Sequence, residues 1–175
     1  GPTCSVRARA YDGSEWSALE RGNFAVDVPV VLNELQASNK NTILDEDGEA
    51  DDWVELINIG TQSIDITGWG LSDKANRPGK WRFPAGTVIG PKGYLLVWLD
   101  EDGSQGPLHA NFKLQALGES IFLCGPATTG DVPLDSVSFG PQDQDRSLGR
   151  IPNGSGPFVT LVTPSPRNPN RRGRK

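Results

Sequence analysis

The sequence predicts an all-β sandwich or barrel, and three observations carry that prediction. Apolar residues come in short blocks rich in Val, Ile, Leu, Phe and Trp, the types that fit a pleated, half-buried surface. Glycine and proline, 21 and 14 of the 175 residues, punctuate those blocks with turn positions. No amphipathic helix of convincing length interrupts them and no βαβ spacing occurs; only NFKLQALGE, residues 111–119, has room for a single helical turn.

The elements follow in order. In CSVRARA, Val6, Ala8 and Ala10 alternate with Arg7 and Arg9, the period of a half-buried strand. YDGSEW supplies a turn at Asp12-Gly13, and NFAVDV reads as the returning strand. After Pro29 the predicted strands are VVLNEL, DWVELIN, SIDITGWGLSD, KWRFP, TVI, GYLLVWL, SIFLCG, LDSVSF and GPFVTLV. DWVELIN is expected to bury part of both faces. GYLLVWL lacks polar alternation and is the expected central strand, covered on both sides. Gly68 and Gly70 flank Trp69 so that the backbone bends beside a large ring, and Pro91-Lys92-Gly93 makes a turn. Trp53, Trp69, Trp81 and Trp98 read as core residues.

A chain of 175 residues suits one domain and buries enough surface to need no metal or disulfide. No apolar run approaches the ~20 residues that span a bilayer. There is no basic-then-apolar leader and no Met, so the chain is expected to be a piece of a larger protein. Of the net charge of −5, the tail RNPNRRGRK contributes five cations and no acid. The remaining 12 basic and 22 acidic residues give a body of −10, which argues against binding a phosphate backbone. Cys4 and Cys124 allow either one bridge or two buried thiols.

The succession VVLNELQASN, DDWVELINIGTQSIDITGWGLSD, WRFPAGTVIGPKGYLLVWLD, LHANFKLQALGESIFLCG, DSVSFGPQDQDRSLGRIPNG and TPSPRNPN resembles the lamin tail domain in its bacterial form. The ordered set covers most of residues 30–170, departing at the Ser-Pro-Arg-Asn-Pro close. The resemblance implies an immunoglobulin-like β-sandwich, with the N-terminal hairpin as an extra element. The hairpin itself resembles the end of a fibronectin type III-like module. The expected organisation is therefore a hairpin over residues 1–28, the sandwich over 29–167 and a basic, disordered tail over 168–175. Bacterial relatives of this kind sit in secreted or surface proteins, so a secreted or cell-surface location follows as an expectation.

Catalysis has little material. His109 is the only histidine, which leaves no His-based triad with alternatives and no multi-histidine zinc site; it reads as a surface or satisfied structural residue. No G-x-S-x-G elbow occurs, and the protein is expected not to be an enzyme. The strongest chemical signal is the acidic loop DEDGEADD. Asp45, Asp47, Glu49 and Asp51 are candidate calcium ligands, because a glycine lets successive carboxylates converge; the plainer reading is a solvated Asp-Gly turn. Asp100-Glu101-Asp102-Gly103 repeats the same shorthand. Asp143 or Asp145 is expected to pair with Arg146 or Arg150 and brace a loop. No cofactor other than calcium is expected. The leading functional expectation is a monomeric interaction or spacer module of a multidomain extracellular protein, contacting protein or polysaccharide. The alternatives are an accessory domain of a secreted hydrolase and, by analogy with animal lamin tails, a nucleic-acid-contacting domain. Nucleic acid is not an expected partner of the acidic body, nor is membrane insertion expected.

Overall fold

A computed structural model describes residues 3–25 and 28–172, and for residues 3–8 and 20–25 the backbone alone. Strands β1 (Thr3–Ala8) and β2 (Glu20–Ala25) pair antiparallel as a separate two-stranded sheet. At its turn, Asp12 accepts the backbone N–H groups of Ser14 and Glu15, each at 2.8 Å, and Gly13 takes φ 103°. Trp16 stays exposed at this turn, its ring 4.9 Å from that of Tyr11 and beneath the Arg9 guanidinium.

The body is built from β3 (Val30–Gln36), β4 (Asp52–Asn58), β5 (Ile64–Asp65), β6 (Gly70–Ser72), β7 (Trp81–Arg82), β8 (Val88–Ile89), β9 (Tyr94–Leu99), β10 (His109–Ala110), β11 (Glu119–Cys124), β12 (Pro133–Phe139), β13 (Ser147–Arg150) and β14 (Phe158–Leu161). One sheet has six strands in the order β10-β9-β4-β3-β13-β14, and the facing sheet has four, β12-β11-β6-β7. β5 and β8 form a small two-stranded ladder. No α-helix occurs among the described residues; the one helical element is a 3-10 turn at Ala127–Thr129. The helical turn expected in residues 111–119 is not formed. Instead Lys113 bridges to Asp100, and the segment makes one tight turn in which the Gly118 N–H donates to the Gln115 carbonyl at 2.8 Å.

The phase of the core explains why VVLNEL is not a simple alternation. Val30 and Leu32 face the core, and so do Leu35 and Ala37. The shift comes from a bulge: Leu32 sits opposite Leu56 and Glu34 opposite Glu55, leaving Asn33 as the additional residue. Val54 and Leu56 of β4, Val97 and Leu99 of β9, Leu71 of β6 and Ile121 and Leu123 of β11 complete the interior. Burying a side chain of this size contributes roughly 1.5–3 kcal/mol.

The outer face of the six-stranded sheet is covered too. Trp53, Leu96 and Trp98 form a second buried cluster against Ile43 of the loop after β3. DWVELIN is accordingly buried on both faces from Trp53 to Asn58. GYLLVWL is also covered on both faces, but it is not central: β10 flanks it only at Trp98 and Leu99, and β3 and β4 hold the middle. Trp53 and Trp98 are buried, whereas Trp69 and Trp81 are half-buried against the core.

Ordered packing runs past the expected boundary at Arg167. Asn170 is buried and donates its side-chain amide to the carbonyls of Asn33 and Arg150, so residues 168–170 belong to the sandwich and not to a tail. Residues 173–175 lie outside those described. Cys124 is a free, buried thiol, and burial pushes its pKa up; the side chain of Cys4 is outside those described.

Candidate functional site

The acidic loop closes on itself before it meets anything else. Asp45 Oδ1 accepts the backbone N–H groups of Asp47 and Glu49 at 2.9 and 2.8 Å, and Gly48 takes φ 83° at the turn. This is an Asp-Gly loop in which a short side chain substitutes for a strand partner. It leaves the other oxygen, Asp45 Oδ2, buried with no hydrogen-bond partner.

The second acidic stretch lies against it. Asp100, at the end of β9, is 5% exposed, and His109 of β10 is 2% exposed. The parallel pairing of His109 with Trp98 brings the imidazole beside Asp100, whose Oδ2 engages Nδ1. On the other side of the ring, His109 Nε2 pairs with Glu46 Oε1 at 3.2 Å. Gly106 gives Glu46 and His109 their room: a Cβ there would lie 2.8 Å from Glu46 Oε1 and 3.1 Å from His109 Cδ2. Gln105 donates to Glu49 Oε2 at 3.0 Å, while its own Oε1 is buried without a partner.

Two groups of ligand-type atoms converge here, each within 4.8 Å of one another: Asp45, Asp100 and His109, and Asp45, Glu49 and Asp51. Asp45 belongs to both. Burial and repulsion from Asp100, with smaller contributions from Glu49 and Asp45, raise the Asp51 pKa. For His109, burial opposes the charged ring, but the hydrogen bond and charge of Asp100, followed by those of Glu46, outweigh it and the pKa rises. Asp47, expected among the ligands, is exposed and outside both groups, because its backbone rather than its side chain serves the turn.

Of the two readings of His109, a surface or a satisfied structural residue, the geometry fits the second: it is buried and bonded, on a two-residue strand that local sequence does not announce. Its convergence with the acidic loop was absent from the sequence reading. The shared Asp-rich shorthand of residues 45–52 and 100–103 was the available signal.

Elsewhere, buried and half-buried acids brace the fold. Asp145 accepts the backbone N–H groups of Lys40 and Asn41, each at 2.8 Å, and the Asn41 amide, which hold its carboxyl well below the ordinary range. Its role in bracing a loop is carried by these amides and not by an arginine. Asp143 contacts Arg146 at 3.5 Å, whereas Arg150 pairs with both oxygens of Asp135. Asp135 Oδ2 also takes the Leu32 N–H at 2.9 Å, which links β12 of one sheet to β3 of the other.

Two facing sheets around one apolar interior, closed by polar braces at their loops, define an immunoglobulin-like β-sandwich module. A family model of the lamin tail domain matches residues 26–141, and the chain belongs to that family. The match spans the metal-ligand-type residues and stops before β13 and β14, although β13 pairs directly with β3. Comparison with curated proteins and with solved structures returns no match.

Proposed function

We propose that the protein is a non-catalytic recognition module of a multidomain secreted or cell-surface protein, contacting protein or polysaccharide through its loops and sheet edges. The observation that supports this reading is where the acids of the sandwich are used. Glu34, Glu55, Asp135 and Asp145 each accept backbone N–H groups from distant segments. Carboxylates held this way rigidify a scaffold, and a rigid scaffold presents its loops with little ordering cost on binding. Fold membership alone does not name the ligand. The test is affinity electrophoresis of the purified chain through gels carrying neutral or acidic polysaccharides, with pull-down on cell-surface protein in parallel. Retardation or capture without product release supports the reading. Time-dependent release of soluble product that a point substitution in the chain abolishes would overturn it.

A further inference from the structure

We propose that residues 163–170 form a proton-controlled strap, held over β3 and β4 while the Glu34–Glu55 pair retains a proton and released when both carboxyls are ionised. The strap, TPSPRNPN, brings no large apolar side chain to the core and forms no strand. Within it, the Asn168 N–H donates to the Ser165 carbonyl at 2.9 Å. What holds it down is polar. The Ser165 N–H and hydroxyl bond Glu34, the Arg167 N–H bonds Glu55, and the Asn170 side-chain amide bonds the carbonyls of Asn33 and Arg150. A segment with so little apolar contact opens locally, at a lower free energy than the whole fold.

The control lies in the two acids beneath it. Glu34 and Glu55 stand opposite each other on adjacent strands, and both are fully buried. The Cβ atoms of such a pair lie about 4.5–5.5 Å apart, and two like charges that close disfavour double ionisation. The groups that face the pair do little to offset this. Asn33, Ser147 of β13 and Ser165 are neutral donors. Tyr94 of β9 is held neutral by burial, with Glu55 and Glu34 adding to the effect. The facing cation, Arg167, is exposed and bonds Glu55 through its backbone N–H. Burial raises both carboxyls, that of Glu55 to about 7; with the strap lifted they meet water and return toward 4.5. The closed strap thus holds protons that the open one releases. Closure has its full advantage below 4.5 and loses it as pH rises through about 7.

Amide exchange in the whole chain, corrected for the intrinsic rate at each pH, tests this at Ser165, Arg167 and Asn170 against Val97, a buried residue of β9. At about pH 8 the strap amides should open at least about tenfold more often than Val97, through an opening that dilute urea does not promote. Their opening constants should also rise at least about tenfold between about pH 5.5 and pH 8. The double variant Glu34→Gln, Glu55→Gln keeps an acceptor oxygen at each position and should show no such rise. Strap amides that open equally often at both pH values in the wild-type chain would overturn the proposal without recourse to any variant. Strap amides that open only together with Val97 would show that no separate strap exists, and a rise that survives in the double variant would move the control to other groups.

Discussion

Glu34 of β3 accepts the backbone N–H of Ser165 on one carboxylate oxygen and its hydroxyl on the other, both at 2.9 Å. The same carboxylate takes the Ser147 hydroxyl of β13. Directly opposite on β4, Glu55 takes the Arg167 N–H and the Asn33 amide. Two buried acids on neighbouring strands thus fasten the closing segment, residues 163–170, over a sheet face that would otherwise be wet.

These acids make stability depend on pH. Burial raises the pKa of Glu55 to about 7, with Glu34 adding repulsion and the Arg167 and Asn33 donors opposing it; burial raises Glu34 as well. The folded state therefore holds protons that the unfolded chain releases near the ordinary glutamate value of 4.5. This contribution is fully present below 4.5 and is lost as pH rises through about 7. Asp52, raised by burial to about 6, acts with the same sign. The melting temperature should fall between about pH 5 and pH 8, and Glu55→Gln should flatten that fall. A melting temperature that climbs over this range would contradict the assignment.

Asn170 offers a sharper test of the closing segment. Its amide serves the carbonyls of Asn33 and Arg150 at 3.1 and 3.0 Å, and its backbone N–H binds Asn153 Oδ1 at 2.8 Å. Asn170→Ala would leave two carbonyls unpaired beneath the segment and should cost about 1–3 kcal/mol in urea unfolding. A change within about 0.5 kcal/mol would mean the site opens to water without penalty.

The two glycines beside Trp69 differ in why they are glycine. Gly68 takes φ 72° with only Pro126 Cβ, at 3.9 Å, near an added methyl. Gly68→Ala should therefore cost about 1–2 kcal/mol, the left-handed backbone penalty. Gly70 has an ordinary φ, but its Cβ would lie 2.2 Å from the Pro78 carbonyl oxygen. Gly70 is also paired on both sides, with Cys124 and Arg82, so the backbone has little freedom to yield. Gly70→Ala should cost about 3 kcal/mol or more. Equal penalties by denaturant titration would show that the close approach relaxes.

The nine predicted strand blocks were legible because their apolar residues repeat against dense turn residues, and the described body places strands in all of them. The bulge at Asn33 was not legible, since an additional residue in VVLNEL is defined only against β4. β13 was missed because SLGR carries one large apolar residue, and Ser147 and Gly149 are buried by their neighbours rather than by their chemistry. At the candidate site, the acidic loop was visible in Asp45, Glu49 and Asp51. His109 was not, because what places it there is a long-range parallel pairing with Trp98. The tail boundary was set by charge, whereas the structure sets it by the hydrogen bonds of Asn170.

The account rests on a sandwich that needs its C-terminal segment to close. Thermal melts of the full chain, of a chain ending at Asn170 and of one ending at Thr163 test this most directly. Removal of the residues after Asn170 leaves every hydrogen bond of Glu34, Glu55 and Asn170 in place, and should move stability by less than about 0.5 kcal/mol. Removal of everything after Thr163 strips the Ser165 and Arg167 donors and the Asn170 amide, leaving two buried carboxylates short of partners. That chain should lose at least about 3 kcal/mol or its cooperative melt altogether. Three superimposable melts would contradict the claim that these two glutamates hold the fold closed.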